Sequence, residues 1–182
     1  MIPTVRTARL LLRPWRVQDF DTYAAVMADP DVTRYLTGEP MNRLEAWRSM
    51  AATAGQWLLR GYGVWVVERK SDGAFVGRVG LNHPNGAEGW PGLEIAWTLA
   101  KPCWGQGYAT EAARAAIAYA FQTQDIERVH SVIHIDNRAS QAVATRVGET
   151  RGPRYDITMA GKSFPTEVWS MTREAWERSA RG

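Results

Sequence analysis

The sequence predicts an α+β fold: one domain over residues 1–182 with a mixed, mostly antiparallel sheet flanked by helices. Three observations carry that expectation. Apolar residues recur at helical spacing in some stretches and in short strand-like runs in others. Two such runs are joined by Ser71-Asp72-Gly73, a hairpin signal. A third run, 93–99, passes through a glycine-punctuated turn into an alanine-rich helical stretch that reaches about Thr123. A chain of 182 residues fits one domain with a substantial core.

Taken in order, residues 7–15 read as a first strand, dense in leucine and bounded by Pro14. Residues 18–28 read as a helix, with Phe20, Tyr23, Ala24 and Met27 at helical spacing, stopped by Asp29-Pro30. Asn42 is placed to cap the next helix, with Glu45 three residues on. Leu44, Trp47, Ala51, Ala54, Trp57 and Leu58 give that helix one apolar stripe, and Gly61 or Gly63 ends it. Trp47, Trp57 and Trp65 read as core. The hairpin strands are 64–69 and 74–81, followed by a Gly-, Pro- and Asn-rich loop over 83–92 that contains Glu88 and Trp90. Beyond the central helix come a strand at 128–135 and a short helix capped by Asn137 and ending near Val147. Residues 151–158 and 164–171 form a closing hairpin around Ala160-Gly161-Lys162, and Thr172 caps a terminal helix.

Composition narrows the function classes. Hydrophobic residues make up 45% and nine residues are Trp, a globular profile with no run of the roughly 20 apolar residues that a membrane span needs. The N-terminus has no signal-peptide core, only the short run of Leu10 to Leu12, so a cytoplasmic setting is expected. The net charge is +3 and no basic run exceeds two residues, which gives no basis for specific nucleic-acid binding. Cys103 is the only cysteine, and His83, His130 and His134 make no metal spacing, so no metal is expected.

The chemistry concentrates in Cys103-Trp104-Gly105-Gln106-Gly107-Tyr108-Ala109-Thr110-Glu111-Ala112. Glycines at 105 and 107 let the backbone approach a ligand closely and adopt dihedrals that a Cβ forbids. The helix that follows starts with amides lacking intrahelical partners, and its dipole adds partial positive charge there. A diphosphate suits such a turn. A kinase-type P-loop would put Lys and then Ser or Thr after the last glycine, where Tyr108 and Ala109 stand. A dinucleotide fingerprint would need a third glycine near the first strand of its unit.

The turn resembles the coenzyme A pyrophosphate loop of the GNAT acyltransferase superfamily, whose pattern is Gln or Arg, two residues, Gly, one residue, then Gly or Ala. Gly107 and Ala109 match its last fixed positions, and Trp104 stands where Gln or Arg is usual. Arg9-Leu10-Leu11-Leu12-Arg13-Pro14-Trp15, Asp29-Pro30-Asp31-Val32 and Asn137-Arg138-Ala139-Ser140 resemble, in order, segments of the branch that holds the ribosomal-protein N-terminal acetyltransferases. The resemblance covers nearly the whole chain. It implies a GNAT-like fold whose sheet is splayed between two central parallel strands, and acetyl-CoA as co-substrate. By the same resemblance, Gly105, Gln106, Gly107, Tyr108, Ala109 and Thr110 hold the pyrophosphate, while Trp97, Thr98 and Leu99 offer backbone groups to pantetheine. Asn137 contacts pantetheine, and Ser140 is the proton donor to the leaving thiolate. Read without the family, Asn137 is a helix cap and Ser140 a first-turn residue.

Glu94 opens the strand before the turn and could draw a proton from an incoming ammonium or orient it, the alternative being a solvated strand-end carboxylate. Glu111 reads as a favourable helix-dipole charge. Cys103 has no His near it in sequence, and direct transfer in the family needs no acyl-enzyme. Val147-Gly148-Glu149 departs from the family's Leu-Gly-Phe, which sets a charge in the packing of the next strand and leaves the cofactor site untouched. The expected activity is N-acetylation by direct attack of a primary amine, with a protein or peptide α-amine as acceptor. Acetylation of a small amine of aminoglycoside or polyamine type, or a catalytically silent coenzyme A sensor, are the alternatives. The protein would act as a monomer or homodimer, with no membrane partner.

Overall fold

The computed structural model describes residues 2–83, 92–159 and 162–181. Glu88 and Trp90 of the expected loop, and the Ala160-Gly161 turn, lie outside them. The residues group into two compact units, 1–80 with 96–115 and 81–95 with 116–182.

In the first unit, β1 (Val5–Arg6) and β2 (Leu10–Arg13) are an antiparallel hairpin, where the sequence suggested one strand over 7–15. Thr7 makes the break: its hydroxyl accepts from the Leu10 amide at 3.0 Å, replacing a ladder bond with a local one. Arg13 ends β2 as a buried guanidinium that donates to both carboxylate oxygens of Asp19, at 2.9 and 2.7 Å, and to Glu68 at 2.6 Å. A single 3-10 turn, Val17–Asp19, leads into α1 (Phe20–Met27). Asp29-Pro30 stops α1 as expected but also starts α2 (Pro30–Thr33), a single turn that Asp29 caps by accepting from the Asp31 amide.

Helix α3 (Arg43–Arg60) has the expected capping box of Asn42 and Glu45 and ends at Gly61, whose φ of 74° is left-handed. Its buried face is not the expected one. Ala46, Met50, Thr53 and Trp57 turn inward, Ala46 and Met50 joining Tyr23, Ala24 and Met27 of α1 in one cluster. Leu44, Trp47 and Leu58 are exposed, Leu58 at 89%. Both stripes satisfy helical periodicity, and the one that meets α1 is the one buried. Trp57 and Trp65 are core, with ring centroids 4.7 Å apart, whereas Trp47 is not.

Strands β3 (Val64–Arg69) and β4 (Phe75–Asn82) pair antiparallel, with Val64 opposite Gly80, and β2 pairs with β3 on the other side. The end of β5 (Glu94–Leu99) also belongs to this unit. A Cβ on Gly77 of β4 would sit 2.3 Å from the Thr98 carbonyl oxygen, so only glycine permits that backbone approach. The first half of α4 (Tyr108–Thr123) completes the unit.

The second unit contains the start of β5, the rest of α4, β6 (Arg128–His134), α5 (Arg138–Val147), β7 (Thr150–Arg154), β8 (Ile157–Met159), β9 (Lys162–Phe164), β10 (Thr166–Thr172) and α6 (Arg173–Ala180). β10 pairs antiparallel with β6 over its whole length and with β7 on its other edge. β8 and β9 form a separate ribbon rather than continuing the closing hairpin. β5 and β6 run parallel, in register at Glu94 and His130. Thr172 caps α6, and the Arg173 side chain donates to the carbonyls of Phe121, Gln124 and Ile126, satisfying acceptors that the end of α4 leaves free. Within the first unit the strand order is β1-β2-β3-β4 and within the second β5-β6-β10-β7, the mixed, mostly antiparallel arrangement expected. No helix among the described residues is long and apolar enough to cross a membrane.

Because burial, not apolar character, decides which side of α3 matters, Trp57→Ala should cost about 3–5 kcal/mol in urea unfolding. Leu58→Gln, on the exposed side, should change stability by no more than about 0.5 kcal/mol.

Candidate active site

In the first unit, β5 leads through a 3-10 turn (Lys101–Cys103) into the glycine turn and α4. Gly105 and Gly107 have φ of 73° and 79°, a conformation L side chains avoid. A Cβ on Gly105 would meet nothing within 4 Å, and one on Gly107 only the Arg9 guanidinium at 3.4 Å. The glycines are thus required by conformation, and the space above them is open to a ligand. Gly105, Gln106 and Gly107 are exposed, while Tyr108 and Thr110 are buried and anchor the helix start, with Ala109 half-buried between them. Gln106 donates to the Pro102 carbonyl at 2.8 Å and the Trp104 indole to the Leu99 carbonyl at 2.9 Å, bracing the turn from within.

Glu111 does more than complement a dipole. It accepts from the Thr7 hydroxyl at 2.6 Å, the Arg9 amide at 2.8 Å and the Arg9 guanidinium at 2.7 Å. Burial opposes its charge, yet these donors together hold its carboxyl below the ordinary value. Arg9 also donates to the Gln106 carbonyl at 2.9 Å and lies over the Tyr108 ring at 4.6 Å. The hairpin of β1 and β2 is thereby fastened to the glycine turn. Sequence reasoning missed this role of Arg9, whose only signal was its place in the Arg9 to Trp15 segment.

Trp97 and Thr98 are half-buried and Leu99 is buried. The Leu99 carbonyl, expected to be free for pantetheine, already receives the Trp104 indole N–H. Cys103 is buried, and burial pushes its thiol up, the wrong direction for a thiolate nucleophile.

In the second unit, Glu94 is 8% exposed and accepts from the Asn82 amide at 2.7 Å, so it is not a solvated strand-end charge. Asn137 accepts from the Ser140 amide at 3.1 Å, which realises the cap role and sets Ser140 in the first turn of α5, half-buried. Among the described residues, no group of three His, Cys, Asp or Glu could hold a metal.

Glu149 overturns the expectation of a misplaced charge. It is 4% exposed, its Oε1 lies 2.9 Å from the Ser131 hydroxyl, and its Oε2 is buried without a hydrogen-bond partner among the described residues. Burial, with a contribution from the charge of Glu94, pushes its carboxyl up to about 8. At neutral pH it is an uncharged group, and the packing accepts it as one.

Residues 9–150 match the family model of the acetyltransferase (GNAT) domain. The chain belongs to the GNAT acetyltransferases. This acetyltransferase is similar to YkkB of Bacillus subtilis, 34% identical with 90% of this chain and 92% of that protein covered. It is also similar to the FsC-acetyl coenzyme A-N(2)-transacetylase of Aspergillus fumigatus, 31% identical with 97% and 79% covered. Among solved structures, an acetyltransferase from Agrobacterium tumefaciens is 31% identical at a TM-score of 0.82, covering 95% of this chain and 96% of that one. RimL, a ribosomal alpha-N-protein acetyltransferase in complex with coenzyme A, shares the fold at 17% identity and a TM-score of 0.76, with 95% and 99% covered.

The raised Glu149 carboxyl has a consequence for stability. The folded protein keeps a proton that the unfolded chain releases near the ordinary 4.5. Stability therefore falls as pH rises from about 4.5 to about 8 and levels off above. Every tenfold gain in proton affinity on folding is worth about 1.4 kcal/mol, so the slope should be plain in urea unfolding at pH 5, 7 and 9. Glu149→Gln should flatten it.

Proposed function

We propose that residues 1–182 act as one acetyltransferase domain, moving an acetyl group from acetyl-CoA to the α-amine of a protein or peptide by direct attack. The observation that carries this reading is the pair of left-handed glycines opening α4 beneath open space. Gly105 to Thr110 take the diphosphate on backbone amides and the helix dipole. The backbone of Trp97, Thr98 and Leu99 and the side chain of Asn137 hold the pantetheine arm. Trp104 already occupies the Leu99 carbonyl, which leaves the groups of Trp97 and Thr98 to do most of this pairing.

In the reaction, the amine nitrogen bonds to the acetyl carbon as the carbon–sulfur bond breaks. Glu94 takes the proton that makes the amine a nucleophile, its buried carboxylate held by Asn82. Ser140 gives a proton to the departing thiolate. Cys103 takes no part, being a buried thiol with its proton held on. The likeness to RimL supports a protein α-amine as acceptor. The relative named as an N(2)-transacetylase supports the broader class of amine acceptors, with a small amine as the second reading. The lone cysteine accords with a cytoplasmic setting.

Acetyl-CoA turnover against a panel of peptides and small amines tests the acceptor. Peptides with free α-amines should be acetylated with the highest kcat/KM, and turnover confined to polyamines or aminoglycosides would replace this acceptor with the second reading. Ser140→Ala should lower kcat by roughly 10²–10⁴-fold with acetyl-CoA affinity nearly unchanged, because a proton donor to a developing thiolate acts mainly in the transition state. A loss below about threefold would leave thiolate protonation to water.

A further inference from the structure

The Ser131 hydroxyl on β6 lies 2.9 Å from two oxygens, the Ile95 carbonyl and Oε1 of Glu149. A hydroxyl carries one proton. The carbonyl can only accept, so the hydroxyl proton serves it, and the second contact needs a hydrogen that Glu149 supplies. The unpartnered Oε2 agrees, since a buried carboxylate oxygen without a donor is far more costly than the carbonyl oxygen of a neutral acid. Glu149 thus donates to Ser131 and Ser131 to Ile95. The chain of bonds joins β6 to β5 one residue beyond Glu94 and His130, the register pair of the two parallel strands.

We propose that Glu149 is a positioning residue for the acceptor chemistry: as a neutral acid it completes a peg through Ser131 that fixes the backbone beside Glu94, and its ionisation both breaks the peg and adds a second negative charge near Glu94. The proposal rests on Glu94 acting on the acceptor amine. The titratable and charged groups on the surrounding elements are Glu94 on β5, Arg128, His130 and His134 on β6, Arg138 and Arg146 on α5, Arg151 and Arg154 on β7 and Glu167 on β10. Arg151 and Glu167 pair with each other, and Glu94 is the one whose charge bears on Glu149. Activity should then fall as pH rises through about 8, against the upward limb produced by neutralising the ammonium.

The test uses the full-length protein. Infrared spectra at pH 7 should show a protonated carboxylic acid band that disappears as pH rises through about 8 and is absent from Glu149→Gln. The amide of that variant can donate to Ser131 but cannot ionise, so its kcat/KM profile should lose the alkaline fall while keeping the rise. Glu149→Leu should lower kcat about tenfold or more through the misplaced strand, and the Gln variant should recover most of that loss. Absence of the band in the wild-type protein would overturn the proposal, as would a Gln variant that keeps the alkaline fall. Glu94→Gln separates the two readings. If it leaves the rising limb in place, the role of Glu94 in the amine step fails, while the band and the alkaline limb still decide the role of Glu149.

Discussion

The first unit is organised around one carboxylate. Glu111, in the first turn of α4, gathers the Thr7 hydroxyl and both the amide and the guanidinium of Arg9. Residues more than a hundred positions apart are joined by three charge-assisted bonds, each stronger than its neutral counterpart. Arg9 then reaches the Gln106 carbonyl between the two left-handed glycines. A glycine pair alone has no preferred shape, because its freedom is what makes the turn possible. The shape is imposed from outside, by a hairpin whose own break at Thr7 is held by that carboxylate. The glycine turn therefore depends for its shape on an acid in the helix that follows it.

Buried charge is handled in two opposite ways. Arg13 keeps its charge because Asp19 takes two of its donors and Glu68 a third, leaving the ion well satisfied. Among the described residues Glu149 bonds only the Ser131 hydroxyl, and burial removes its charge instead. Both arrangements fix a strand: the Arg13 cluster fixes the end of β2, and the Glu149 bonds fix the start of β5. The first is held by ion pairs, and the second by a neutral acid whose proton leaves as pH rises through about 8.

What could be read from the chain was local. The caps at Asn42, Asn137 and Thr172, the stop at Gly61, the Ser71 to Gly73 hairpin and the glycine turn are set within a few residues, and all stand where the sequence put them. The errors share a cause in longer-range choices. Leu44, Trp47 and Leu58 are more apolar than Ala46, Met50 and Thr53, yet proximity to α1 decided the buried face of α3. Thr7 suits a strand by propensity, and only its bonds with Leu10 and Glu111 reveal a turn. Glu149 carries a charge in any reading of residue types alone, and only its surroundings remove it. For the candidate site, the turn could be found from spacing, but the clamp by Arg9 could not, since nothing in a linear pattern links position 9 to position 111.

Trp104 stands where the family usually has Gln or Arg, and this gives the chain an optical property. Its indole is 45% exposed, directly precedes Gly105, and is held in one orientation by the Leu99 carbonyl. Trp57, Trp65 and Trp169 are buried, Trp97 is half-buried and Trp47 is exposed, so Trp104 is one of several emitting indoles. A half-wet indole fixed at the edge of the glycine turn would respond to a guest that displaced water there. The substitution thus builds a fluorophore into the turn itself.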